Sequence, residues 1–255
     1  MSNKEKNTLY VHIGTGKTGS SSIQNTLMHV QYKLRDHDFA IPSSTHLALF
    51  GNFDRNHGIF FSSREGIAKR IDEVAGQWRD RIADLEGCDR NLKIVLSNEG
   101  FSHDDIPLIR SLAESVYLKV KIIVYLRRQD DYLESSWRQW GCKVCDDVES
   151  WADTIFERGQ CDWEKRIEPW AEAFGDDAMI VRPFDKAQMF QHNVVADFFR
   201  IIDAPTEVLS TIGDSGTQVN TAQHSDLVQI INLCRDLLDG QNDNRLTVFF
   251  NKNLD

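Results

Sequence analysis

The stretch HIGTGKTGSSSIQ, from His12 to Gln24, decides how the rest of the chain is read. Just before its glycines, Leu9–Ile13 (LYVHI) is a short apolar run, the pattern of a buried strand. Just after them, Ile23, Leu27 and Val30 recur at helical spacing, and Ser and Thr crowd the helix start where N-caps belong. A strand, a glycine loop and a helix in that order make an anion-binding unit. Gly14, Gly16 and Gly19 allow close backbone approach. The helix start supplies N–H donors and the positive end of a dipole. Lys17 adds a mobile cation, and Thr18, Ser20, Ser21 and Ser22 add hydroxyls. A turn leading into a well-capped helix is the plainer alternative. Lys17, set among glycines directly after a strand, favours phosphate.

Working outward, three more apolar runs read as buried strands: LKIVLS (92–97), KIIVYL (121–126) and AMIVR (178–182). Helical spacing is expected over 20–34, 64–85, 106–117, 129–140, 150–174, 194–202 and 221–238. Residues 40–63 show no period and read as a binding loop. Strands alternate with helices, and the strands are continuously apolar. That predicts an α/β three-layer sandwich, a mostly parallel sheet covered on both faces. Ligands of such sheets bind beyond the carboxyl ends of the strands. The segments GTGKTGSSS, NEGFSH and RRQDD should therefore face the site.

The length of 255 residues suits one α/β domain with helical additions, spanning 1–255. A net charge of −10 argues against a nucleic-acid partner, though a few local cations can still hold an anionic ligand. The sequence carries no apolar run of ~18 residues, so no membrane span is expected. No leader is visible before Leu9, and five cysteines do not pair evenly, so a cytoplasmic location is expected.

The nucleotide-phosphate pattern G-x-x-x-x-G-K-[ST] fits Gly16, Lys17 and Thr18, but its first glycine would fall on Val11, inside the strand. The loop is shorter and starts at Gly14. Read as Gly16-Lys17-Thr18-Gly19-Ser20-Ser21, it resembles the P-K-[ST]-G-[ST]-[ST] loop of the sulfotransferases that use 3′-phosphoadenosine 5′-phosphosulfate (PAPS). The bacterial branch, which often opens H-I-G-x-x-K-T-G, is the nearest match. The resemblance implies a P-loop NTPase-like fold. Lys17 would meet the bridging oxygen and the sulfuryl group. Thr18, Gly19, Ser20 and Ser21 would hold the 5′-phosphate, and Gly14 and Gly16, which let the backbone approach, are counted with them as cofactor-binding residues. Gly16 stands where the family usually has proline, and Ser22 where many members have an adenine-stacking Trp. The family's late R-K-G-x-x-G segment is not evident in residues 213–220 (GDSGTQVN).

The resemblance predicts a second motif, an Arg after a later strand and a Ser eight residues on, both binding the 3′-phosphate. YLRRQDDYLESSW supplies Arg127 with Ser135, or, shifted by one, Arg128 with Ser136. The first pair is preferred because the family Arg follows the strand directly. An Arg there can grip phosphate through two N–H groups. A surface helix with i,i+4 charge pairs is the alternative reading. EPWAEAFGDDAMIVRPFDK and VVADFF extend the likeness loosely toward the C-terminus.

Sulfuryl transfer needs a base for the acceptor hydroxyl. Glu99 is the first choice, nearest a strand end; His103, His46 and His57 are the others. The implied reaction moves a sulfuryl group from PAPS to a hydroxyl, on a glycan by analogy with the branch, leaves adenosine 3′,5′-bisphosphate, and requires no metal. Two rivals stand beside it. One is an ATP-dependent small-molecule kinase, which would want the missing glycine and a strand-end Asp. The other is a non-catalytic nucleotide-binding protein of the same fold. Cys142 and Cys145 form a C-x-x-C without a second pair and read as incidental.

Overall fold

The computed structural model describes residues 7–40, 76, 79–80, 91–214 and 225–253. Of the expected loop over 40–63, Ala40 ends a short strand, and the rest, with His46 and His57, lies outside the described residues, as does nearly all of the expected helix over 64–85. Two compact units emerge, Met1–Leu126 with Glu164–Thr217, and Arg127–Trp163 with Gln218–Asp255.

The first unit holds the sheet. Its strands are β1 (Thr8–Ile13), β2 (Phe39–Ala40), β3 (Lys93–Asn98), β4 (Lys119–Leu126) and β5 (Met179–Pro183). They run in the order β2-β3-β1-β4-β5, and every pairing is parallel. The α/β class and the parallel sheet are as the sequence predicts. β1 lies between β3 and β4, with Ile13 opposite Asn98 and His12 opposite Ile123. The chain leaves β1 toward one side of the sheet and later returns on the other. The carboxyl end of β1 is thus the switch point, where such sheets bind ligands.

Strand alternation divides the core into two layers. Leu9, Val11, Ile13, Ile94, Leu96, Ile122 and Val124 pack against α2 (Ile106–Ser115) and α5 (Trp163–Phe174), whose Trp170 is fully buried. Val95, Ile123 and Tyr125 pack on the other face. Ile23, Leu27, Val30 and Leu34 of α1 (Ser20–Arg35) meet them there with α6 (Val194–Ile201) and α7 (Thr206–Asp214).

The second unit is helical among the described residues: α3 (Gln129–Gln139), α4 (Val148–Glu157), α8 (Ser225–Leu233) and α9 (Arg245–Asn253). Tyr132, Trp151, Ile155 and Cys161 form one small core, flanked by Trp137, Trp140 and Trp163; Cys142, Leu227, Val228 and Ile231 form another. The expected single helix over 150–174 is two, because Gly159 turns the chain with φ 63°. The helix expected to reach 117 stops at Ser115, two residues before Tyr117 adopts φ 56°.

Candidate functional site

The carboxyl end of β1 runs straight into the glycine loop. Gly14 N donates to Asn98 O (3.3 Å), one last rung of the β1–β3 ladder. Thr15, 1% exposed, donates its hydroxyl to Tyr125 O on β4 (2.7 Å). Thr18, fully buried, turns its hydroxyl back onto Thr15 O (2.6 Å). These two threonines close the loop upon itself and tie it to the sheet, so the Thr18 hydroxyl is engaged within the loop.

Two residues of the loop are left-handed. Lys17 has φ 67°, which costs a residue with a Cβ about 1 kcal/mol. Gly19 has φ 76° and precedes α1, where no side chain caps the helix and no acidic residue stands in the first turn. A Cβ at Gly14 would stand 2.6 Å from Ser20 Oγ and 2.9 Å from Glu99 Cγ. Gly14 is therefore the point at which the loop, the helix start and the end of β3 meet. Ser20 is 1% exposed, and its Oγ has no hydrogen-bond partner. A buried hydroxyl normally finds one.

Arg166, on α5, reaches the same place. Its Nη2 donates to Gly14 O (2.6 Å) and to Glu99 O (3.2 Å). Nothing in the sequence marks Arg166, which lies 152 positions from Gly14.

The sheet beneath the loop carries buried polar groups. His12 Nδ1 lies 2.8 Å from Ser97 Oγ, and Gln24 Nε2 approaches Ser97 from α1. Burial pushes the His12 pKa down to about 3, so the ring is neutral. Tyr125 donates to Asp197 Oδ2 (2.9 Å), and Arg182 grips both oxygens of that carboxylate (2.8 and 3.1 Å). Burial pushes the Asp197 carboxyl up, but Arg182, the Phe190 N–H and the Tyr125 hydroxyl together hold it below its ordinary value. This fixes β4, β5 and α6 to one another under the loop.

Of the residues expected to act, the structure brings together Gly14, Ser20 and Glu99. Glu99 is half-buried, one residue beyond β3. His103 is exposed in the helical turn His103–Asp105, its Nε2 3.4 Å from Asp104 Oδ1. Gly16, Lys17 and Ser21 are half-buried along the loop and first helical turn.

Arg127 and Ser135 belong to the second unit. Arg127 follows β4 in the chain, is half-buried, and accepts Trp163 Nε1 at its carbonyl (3.0 Å). Ser135 is half-buried on α3. The shifted register is engaged elsewhere. Ser136 is fully buried, accepting from Trp151 Nε1 (2.9 Å) and donating to Leu133 O (3.0 Å). Arg128 is paired with Asp130 (2.7 Å). Ser136 is thus a core residue, which leaves Ser135 as the serine with a surface to offer.

Cys142 is fully buried, and burial pushes its thiol up to about 11. Among the described residues no His, Cys, Asp and Glu group is arranged to hold a metal, and no helix is long and apolar enough to cross a membrane.

No family model matches the chain. It is similar to an uncharacterized protein of Archaeoglobus fulgidus, 30% identical over 115 residues, which is 44% of this chain and 31% of that protein. The matched part thus covers less than a third of the relative's own length.

Proposed function

We propose that this chain is a sulfotransferase, moving a sulfuryl group from PAPS to a hydroxyl on a carbohydrate or related surface molecule. The observation that carries the reading is the buried Ser20 hydroxyl, without a partner at an uncapped helix start and set against a glycine that a side chain would fill. That is a buried donor without an acceptor, at the start of a helix that follows a glycine loop.

The donor, when bound, supplies a sulfur–oxygen bond whose breaking releases a phosphate oxygen. The start of α1, with Ser20 and Ser21, holds the 5′-phosphate. Lys17 offsets the negative charge that gathers on the bridging oxygen as its bond to sulfur breaks. Glu99 takes the acceptor's hydroxyl proton as the new oxygen–sulfur bond forms. Adenosine 3′,5′-bisphosphate is left. Arg127 and Ser135 hold its 3′-phosphate in this reading, which the burial of Ser136 against the Trp151 indole supports over the shifted pair. A cytoplasmic location belongs to the same proposal, supported by the free thiols of Cys142, Cys145, Cys161 and Cys234.

Calorimetry with adenosine 3′,5′-bisphosphate, against ATP with Mg²⁺, tests the reading. The bisphosphate should bind more tightly, and equal or tighter binding of ATP would sink it. Arg127→Ala should weaken the bisphosphate more than adenosine 5′-phosphate. Equal losses would remove Arg127 from the 3′-phosphate site.

A further inference from the structure

The ladder between β1 and β3 ends at Ile13 and Asn98, with Gly14 N on Asn98 O just beyond. The next two carbonyls, Gly14 O and Glu99 O, lie where the chains part, one leading into the loop and the other carrying Glu99. Arg166 Nη2 donates to both, at 2.6 and 3.2 Å. One nitrogen with two protons thus replaces the missing backbone rung. We propose that Arg166 is a positioning residue, a side-chain clamp that fixes the first residue of the anion loop against the residue bearing the base. The inference rests on the sulfotransferase reading for what is positioned, but not for the clamp itself.

Three observations support it. The Glu99 side chain already lies against Gly14, since a Cβ there would come within 2.9 Å of Glu99 Cγ; a small shift of either strand end moves the carboxylate relative to the loop. The guanidinium is planar and keeps its charge, so it holds two carbonyls at a set separation where a flexible ammonium would not. Its bonds are charge-assisted and stronger than an amide rung. Arg166 also stands on α5, which Trp170 anchors in the core four residues on, so the clamp is rigid at its root.

The test uses the full chain with Arg166→Gln and Arg166→Lys. Amide hydrogen exchange, read by mass spectrometry, follows peptides covering 14–21 and 99–101, with 24–34 of α1 as the internal reference. Adenosine 3′,5′-bisphosphate binding is measured in parallel. Arg166→Gln should speed exchange in the first two segments at least tenfold, leave the reference unchanged, and raise the bisphosphate Kd roughly tenfold by loosening the loop. Arg166→Lys should recover part of both, since an ammonium still donates to one carbonyl. Exchange that rises evenly through the reference would make Arg166 a general stability residue and overturn the proposal. So would wild-type exchange in Arg166→Gln. A wild-type protein that fails to bind the bisphosphate would overturn the sulfotransferase reading, while the exchange comparison would still decide the clamp.

Discussion

Ser20→Ala should make the unliganded protein more stable and its nucleotide complex weaker. The hydroxyl is 1% exposed and has no partner, so the native state carries its desolvation cost, about 1–3 kcal/mol. Alanine removes one oxygen, leaves a void smaller than a methyl group, and suits a helix start. A net gain near 1 kcal/mol follows, or roughly 2–4 °C in Tm for a unit of this size. With a phosphate in the loop the hydroxyl acquires a charged acceptor, and such bonds contribute about 1.5–3 kcal/mol. The variant should then bind adenosine 3′,5′-bisphosphate about 10- to 100-fold more weakly. Thermal scans without ligand and calorimetry with it read the two effects separately. A higher Tm with an unchanged Kd would mean that Ser20 is an unsatisfied core group and no part of a binding site. A fall in both would mean that the hydroxyl is already satisfied in the free protein.

Gly14→Ala places a Cβ 2.6 Å from Ser20 Oγ and 2.9 Å from Glu99 Cγ; overpacking of about 1–3 kcal/mol and loss of bisphosphate binding are expected, and wild-type affinity by calorimetry would contradict the assignment. His12 has a folded pKa near 3 and an ordinary value of 6.5, so its contribution is whole above pH 6.5 and falls away as pH drops toward 3, by about 2 kcal/mol at pH 5. His12→Asn should flatten the urea-unfolding free energy between pH 7.5 and 5 relative to wild type, and parallel curves would refute this. Asp197→Ala leaves Arg182 without its carboxylate and the Tyr125 hydroxyl without its acceptor; a loss of about 3–5 kcal/mol in the same assay is expected, and a loss below 1 would show the pair to be dispensable.

The middle of the sheet was legible because most residues of β1 and β3 and the second half of β4 are buried, and burial on both faces writes continuous apolar runs such as LKIVLS and KIIVYL. The short β2 has two residues and leaves no such run. Thr206–Asp214 and Arg245–Asn253 are helices that the sequence reading does not predict. At the site, Gly14, Lys17, Ser20 and Glu99 could be found because local chain direction places them at strand ends and a helix start. Arg166 and Asp197 could not. Their roles depend on which distant segments pack beside the sheet, and neither stands in a pattern that chemistry alone singles out. Ser135 and Ser136 show the limit most sharply. Both fit an eight-residue spacing, and only the indole of Trp151 separates them.

The loop's attachments have a thermodynamic consequence. Thr15 pins it to β4, the Gly14 amide and Arg166 pin it to β3, and Thr18 braces its interior. Its strained Lys17 dihedral and its backbone order are thus already imposed when the chain folds, so that, in the proposed reading, an anion would find the cradle preorganised. Association would then cost little conformational entropy at the loop itself, and the affinity of such a cradle would depend on charge and hydrogen bonding and not on induced ordering.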